Sequence, residues 1–241
     1  MFFARGRSGP VQWGFTDREG GVSAGDFGSL NLGGHVGDDP AAVEVNRSRV
    51  AESVGVPRDR LLFLQQCHGN DVLVVDGPWG ESGPPPADGA VTRSAGLALA
   101  TLVADCTPVL LADPAAGMVG AVHAGRPGMT SRIVDVAVDR MRELGAQQIT
   151  AVVGPSVCGR CYEVPEQMRA AASAVAPESS AVSWVGTPAI DVASGVVAQL
   201  HAKDVAVQWV PGCARESRSL YSYRRDGRTG RFAGIVVLEA S

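Results

Sequence analysis

The sequence predicts an α/β (α+β) fold, with mixed β-sheets flanked by helices in a single domain spanning residues 1–241. Three observations predict it. Short runs rich in Val, Leu and Ile recur along the chain, three segments carry helical periodicity, and the two kinds do not alternate strictly. Strict alternation would point to a doubly wound parallel sheet; its absence favours mixed sheets. A chain of 241 residues suits one large domain or two small ones, and 45% hydrophobic with 19% charged residues supplies a sizeable core and argues against global disorder.

In chain order, the first clear element is helical. "DPAAVEVNRSRVAESVG" begins after Asp39, with Pro40 at a first-turn position where a missing N–H costs nothing. "RLLFLQQ" and "DVLVVD" read as strands bounded by turn residues. "DGPWGESGPPPADGA", Asp76 to Ala90, is rich in Pro and Gly and reads as an exposed loop. "GLALATLVAD", "PVLLAD" and "MVGAVHA" follow, nearly continuous in apolar residues as strands buried on both faces are. "TSRIVDVAVDRMRELG" is helical, with Thr130 or Ser131 as cap and Gly145 as terminator. "QITAVVG" is a strand, "DVASGVVAQLHAKD" a third helix and "VAVQWV" a strand. The C-terminal "SLYSYRRDGRTGRFAGIVVLEA" reads as strand, turn, strand around Asp226-Gly227. No internal repeat is evident.

A net charge of −4 and few aromatic residues argue against nucleic-acid binding. No stretch approaches the ~18 apolar residues of a membrane span, and the N-terminus lacks a secretory apolar run. A cytoplasmic protein is expected. Five cysteines fit reduced thiols or a metal site better than a disulfide framework.

Three residues stand out by position. His68 follows "LLFLQQC", Cys106 follows "GLALATLVAD", and His123 ends "MVGAVHA", each close to a strand end and a Gly or Pro turn. Such positions can converge on a cleft. Two imidazoles and a thiolate would leave a fourth zinc position open for water or substrate. The same residues also suit a metal-free Cys-His nucleophile, or a buried Cys106 with strand-capping histidines. Cys158-x-x-Cys161 lacks the second pair of a zinc knuckle and the context of a thioredoxin-like motif, so it is expected to be inert. His35 sits in a Gly-rich loop of the kind that approaches ligands closely, whereas His201 reads as a surface or boundary residue. Arg224, Arg225, Arg228 and Arg231 form a basic cluster suited either to an exposed hairpin tip or to an anion.

Segments along nearly the whole chain carry a resemblance. "GFTDREGGVS", "SLNLGGHVGDDPAAVEVNR", "QQCHGNDV", "ADGAVT", "ADCTPVLLAD", "VHAGRPG", "GPSVCGRCYEV" and "YSYRRDGRTGR" follow, in order, motifs of the laccase-domain family. That family is also termed YfiH-like, multicopper polyphenol oxidase-type or purine nucleoside phosphorylase-type. The resemblance implies a YfiH-like layered sandwich and a metal site of His68, Cys106 and His123, usually described as zinc, with copper possible in older assignments. It also implies phosphorolysis of adenosine, inosine, guanosine or methylthioadenosine, with adenosine deamination as a further activity. Purine nucleoside and phosphate are then the partners. Arg47, as the anion ligand, with Asn31, His35 and Arg224, is expected to hold them.

The chain departs from the family's H-A-G-W-R-G at His123-Ala124-Gly125-Arg126-Pro127-Gly128, where Arg replaces Trp and Pro removes a backbone donor. Alternatives left open are a cell-wall-precursor hydrolase with Cys106 as nucleophile, a copper-dependent polyphenol oxidase, for which four histidines are few, and a metal-stabilised interaction protein.

Overall fold

The computed structural model describes residues 1–80 and 83–240. In chain order the elements are β1 (Phe2–Ser8), β2 (Val11–Thr16), α1 (Pro40–Ser53), β3 (Leu61–Phe63), β4 (Val72–Val74), β5 (Gly89–Thr92), β6 (Ala98–Val103), β7 (Thr107–Asp113) and β8 (Met118–Ala124). They continue with α2 (Arg126–Thr130), α3 (Ile133–Glu143), β9 (Thr150–Val153), α4 (Glu166–Val175), β10 (Ser180–Val182), β11 (Pro188–Ile190), α5 (Val192–Ala202), β12 (Ala206–Trp209), α6 (Tyr223–Asp226) and β13 (Phe232–Leu238).

Two mixed sheets face each other. One runs β1-β2-β13-β6-β3 and the other β12-β9-β7-β8-β5-β4, with β10-β11 a separate hairpin. Each large sheet is antiparallel at its centre and gains parallel strands at its edges: β3 on β6 in one, β12 on β9 and β4 on β5 in the other.

The continuous apolar runs are explained by the layers. In β7, Leu110 joins Phe15, Leu99 and Val236 in the core between the sheets, while its neighbours Val109 and Leu111 pack outward with α3 and α5 residues such as Val138 and Val196. In β13, Val236 and Leu238 face the other sheet, and Ile235 and Val237 lie under Val50 and Ala51 of α1. Side chains alternate faces along a strand, so a strand covered on both sides must be apolar at every position. The result is four layers, helix–sheet–sheet–helix, as the sequence predicts.

Local signals mostly act as expected. Asp39 caps α1 by accepting from the Ala41 N–H at 3.0 Å, with Pro40 in the first turn. Asp191 caps α5 through Ser194 N–H at 3.0 Å. Gly145 follows α3 at φ 101°, the left-handed conformation that suits a terminating glycine.

Three expectations are corrected. Thr130 and Ser131 do not cap α3; they close the separate short helix α2, and Arg132 at φ 59° divides the two. "RLLFLQQ" is strand only to Phe63, after which the Gln66 side-chain amide continues the ladder, donating to Leu102 O and accepting from Leu102 N–H at 2.7 Å each. The tail is not strand–turn–strand: only β13 is a strand. Ser222 accepts from Arg225 N–H to start α6, and the Arg225 guanidinium donates to the carbonyls of Ala214, Arg215, Ser217 and Leu220, folding this segment inward. Residues 81 and 82 of the Pro/Gly loop lie outside the described residues. Among the described residues no helix is long and apolar enough to cross a membrane.

Asp113, buried at the end of β7, accepts backbone N–H groups of Ala116, Gln147 and Gln148 and so ties the β7–β8 turn to the segment entering β9. Burial opposes its ionisation, but those N–H groups prevail and hold its carboxyl below the usual range. Its folded pKa is depressed, so its contribution is present above the unfolded pKa of about 4 and is lost as pH falls through the folded value. Asp113→Asn is expected to lower unfolding free energy by about 1–3 kcal/mol at neutral pH. In urea titrations the gap to wild type should narrow as the medium is acidified; a gap independent of pH would contradict the assignment.

Candidate active site

Connections between the two sheets run at one end of their strands, and the candidate residues lie there. His68 is in the connection from β3, in the five-stranded sheet, to β4, in the six-stranded sheet. Cys106 closes the crossing from β6 to β7 in the same sense, and His123 is the penultimate residue of β8, paired with Pro108 of β7. Their ligand atoms all lie within 4.8 Å of one another, with Cys106 Sγ 3.8 Å from His68 Nε2. The imidazoles of His68 and His123 meet edge to face at 4.8 Å.

A carboxylate that sequence reasoning passed over holds this cluster. Asp88, fully buried just before β5, accepts the backbone N–H groups of Cys67, His68 and Gly69 at 3.1, 2.9 and 2.6 Å, and its Oδ1 lies 2.8 Å from His123 Nδ1. Burial opposes the Asp88 charge, but the bonds from His123, Cys67 and Gly69 outweigh it and hold the carboxyl well below its usual range. His123 therefore donates from Nδ1 and presents Nε2 to the cluster. Three consecutive N–H groups on one anion also fix the turn that puts His68 at φ 61°, a conformation rare for a residue with a side chain. The only signal available was an Asp at the entry of a strand in "ADGAVT".

Asp105, at φ 96°, plays the matching part on the Cys106 side. It accepts from Ser222 Oγ at 2.6 Å and Arg224 N–H at 2.7 Å, bringing the C-terminal tail to the cluster. Gly125 leaves room for the cluster: a Cβ there would sit 2.9 Å from His68 Cδ2 and 3.1 Å from Cys106 Sγ.

The donors suit a cation. Burial disfavours the Cys106 thiolate, but the charge of His123 and hydrogen bonds from His123 and His68 pull its pKa down to about 6. Burial likewise lowers that of His123, yet Cys106 and Asp88 push it up to about 9. The site thus favours a Cys106 thiolate paired with a protonated His123, and a cation binding there would displace the His123 proton. A tetrahedral cation with bonds of about 2.0–2.3 Å separates its ligand atoms by roughly 3.3–3.8 Å, and the 3.8 Å between Cys106 Sγ and His68 Nε2 falls at the upper end of that range.

The cluster lines a cleft of about 870 Å³. His35 and Arg224 line it too, as does Arg231 of the basic cluster that the sequence offered to an anion, together with Gln66, Arg126 and Tyr162, which the sequence had not assigned to substrate. Arg224 stacks over Tyr162 at 4.5 Å and donates to Glu163 O. Burial, then the charges of Arg231 and Arg47, lower the pKa of His35 and favour its neutral form.

The structure does not bring Asn31 and Arg47 to the cleft wall. Asn31 is fully buried and fixes its loop, accepting from Gly33 and Arg231 N–H and donating to Asp38. Arg47 stacks on Phe63 at 4.2 Å and donates to Leu32 O; burial lowers its pKa to about 10. Both shape the 31–35 loop from behind. Pro127 falls in the first turn of α2, where a helix has no acceptor for its N–H, so the departure at Arg126-Pro127 costs no helix hydrogen bond, and Arg126 lines the cleft.

Asp88→Asn should weaken metal binding about 10–100-fold in competition with a chromogenic chelator, since the amide cannot hold both His123 and the three N–H groups. Unchanged affinity in the folded variant would refute the role given to Asp88.

The profile of the family described as multi-copper polyphenol oxidoreductase laccase matches residues 12–239. The chain is 56% identical over 237 residues to "Purine nucleoside phosphorylase ORF3" of Streptomyces griseus, covering 96% of each chain. It is 40% identical over 227 residues to a "Purine nucleoside phosphorylase" of Deinococcus radiodurans, covering 93% of this chain and 88% of that one. The crystal structure of YlmD from Geobacillus stearothermophilus superposes with a TM-score of 0.88 at 31% identity over 99% of both chains. With the layered sheets and the cleft already in view, these similarities make the chain a member of the multi-copper polyphenol oxidoreductase laccase family.

Proposed function

We propose that the protein is a zinc-dependent purine nucleoside phosphorylase. The observation that carries this reading is one cleft in which an open three-donor cluster meets the guanidinium-bearing residues Arg126, Arg224 and Arg231. Full-length relatives bearing that enzyme's name support it. His68, Cys106 and His123 would hold the zinc, with copper the alternative for a thiolate–imidazole set. When bound, the metal supplies positive charge that orients phosphate or polarises a substrate oxygen.

In phosphorolysis a phosphate oxygen forms a bond to the sugar C1′ as the C1′–N9 bond breaks. The electron pair leaves with the purine, which takes up a proton, and ribose 1-phosphate and free base result. Arg224, with Arg231 and Arg126, holds the phosphate dianion, a task for which forked donors are suited. Tyr162 offers an aromatic wall to the purine, and neutral His35 can both donate and accept a hydrogen bond at the sugar or base.

Adenosine deamination at the same cleft has weaker support. Zinc deaminases place a free carboxylate beside the attacking water. The oxygens of Asp88 and Asp105, the carboxylates that brace the cluster, are engaged in holding backbone N–H groups, His123 and the Ser222 hydroxyl. Multicopper oxidation has less: of four histidines, two are in the cluster.

Zinc-loaded protein incubated with adenosine or inosine and phosphate should release free base and ribose 1-phosphate, and Cys106→Ala should abolish this. Absence of both products from folded, zinc-bound protein would refute the reading. Arg224→Ala is expected to raise KM for phosphate about tenfold or more while changing KM for nucleoside much less, in line with loss of a charge-assisted contact of about 1.5–3 kcal/mol. An equal rise in both constants would move Arg224 out of the phosphate subsite.

A further inference from the structure

The Cys158-x-x-Cys161 pair, unremarkable in the sequence for want of a second pair, has partners in the fold. Cys213 and Glu216 come to it, and the four ligand atoms of Cys158, Cys161, Cys213 and Glu216 lie within 4.8 Å of one another. All three cysteines are free, and Cys161 is buried. The Cys161 thiol is 3.3 Å from Glu216 Oε1, which also accepts from Trp184 Nε1 at 3.1 Å.

The backbone is arranged as two facing knuckles. In the first, the N–H groups of Cys161 and Tyr162 both donate to Cys158 O. In the second, the N–H groups of Glu216 and Ser217 both donate to Cys213 O. An isolated parallel bridge, Ser156 to Cys213, sets the two side by side. Each knuckle offers two donors three residues apart, and the bridge brings the pairs Cys158/Cys161 and Cys213/Glu216 together. Ligand atoms around zinc are separated by about 3.8 Å when all are sulfur, within the spacing seen here. The carboxylate, with one oxygen bonded to Trp184, is a ready fourth ligand.

We propose that Cys158, Cys161, Cys213 and Glu216 form a second metal site, closed and structural, for a thiophilic divalent cation of the zinc class. Four protein donors leave no position for substrate, in contrast to the three-donor cluster in the cleft. Its effect reaches the cleft through the chain: Tyr162, adjoining Cys161, and Val157, adjoining Cys158, both line it. The cation would pin the wall that carries Tyr162 to the loop of residues 213–217, whose carbonyls at Ala214, Arg215 and Ser217 the Arg225 guanidinium already gathers.

The test uses reduced full-length protein and zinc or cobalt(II) alone. Wild type is expected to retain one equivalent more metal per chain than Cys213→Ser. Cys106→Ala, which removes the cleft thiolate, should still bind cobalt(II) with an intense thiolate-to-metal charge-transfer band. In the same variant, zinc should protect Cys158, Cys161 and Cys213, but not Cys67, from alkylation read by peptide mass spectrometry. That measurement needs no change in the second cluster and so does not depend on Cys213→Ser folding. Absence of the charge-transfer band and of protection in Cys106→Ala would overturn the proposal, as would a disulfide between any two of these three cysteines persisting in metal-treated reduced protein. Failure of the cleft to bind metal or turn over nucleoside would lower the wild-type stoichiometry but leave the Cys106→Ala result unchanged, so the two readings fail separately.

Discussion

The buried carboxylate of Asp88 is the constraint from which the candidate site follows. It stands at the entry to a strand of the six-stranded sheet, and it gathers three consecutive N–H groups from the loop that leaves the five-stranded sheet. A buried anion is tolerable only when fully hydrogen-bonded, and the three N–H groups with His123 supply those bonds to Asp88. The unusual backbone of His68 and the presented nitrogen of His123 are both consequences of it. Asp105 repeats the pattern across the cluster, where one strained carboxylate-bearing residue draws in the tail through Ser222 and Arg224.

The layered fold was legible in the sequence because its strands are covered on both faces, and runs such as "PVLLAD" and "FAGIVVLE" can satisfy that only by being apolar throughout. The N-terminal hairpin β1–β2 was not read, because "FFARGRS" belongs to a partly exposed edge strand with three charged or polar side chains and no clear period. Helix α4, "EQMRAAASAV", is ten residues long and follows Pro165, which cannot cap it, so no start signal marked it. The tail misled for a different reason. Asp226-Gly227 is a sound turn signal, but Arg225 reaches four carbonyls that no local pattern reveals.

At the site, the three metal candidates were identifiable by residue type and by place near strand ends. The substrate residues were less so. Arg47 and Arg224 are chemically alike in sequence, and only packing separates the guanidinium laid on Phe63 from the one at the cleft. Asn31 looks like a loop donor and proves to be fully engaged inside the loop. The cysteine cluster was missed because a second C-x-x-C was sought, whereas the matching spacing is Cys213-x-x-Glu216, with a carboxylate where a thiol was expected.

The cleft donors straddle two sheets, and this has a consequence for how the protein can change. His68 and Cys106 ride on chain crossings between the sheets, while His123 belongs to one sheet alone. The gap between the sheets is filled by Phe15, Leu99, Leu110, Val236 and their neighbours, packed with little freedom. The thickness of that filling sets how far apart the donors stand. A methylene gained or lost deep in the interior alters the bite of the candidate site as turning a screw alters the jaws of a vice. Repacking the interior of this protein thus shifts His68 and Cys106 relative to His123, and the core sets the spacing of the site as well as the stability of the fold.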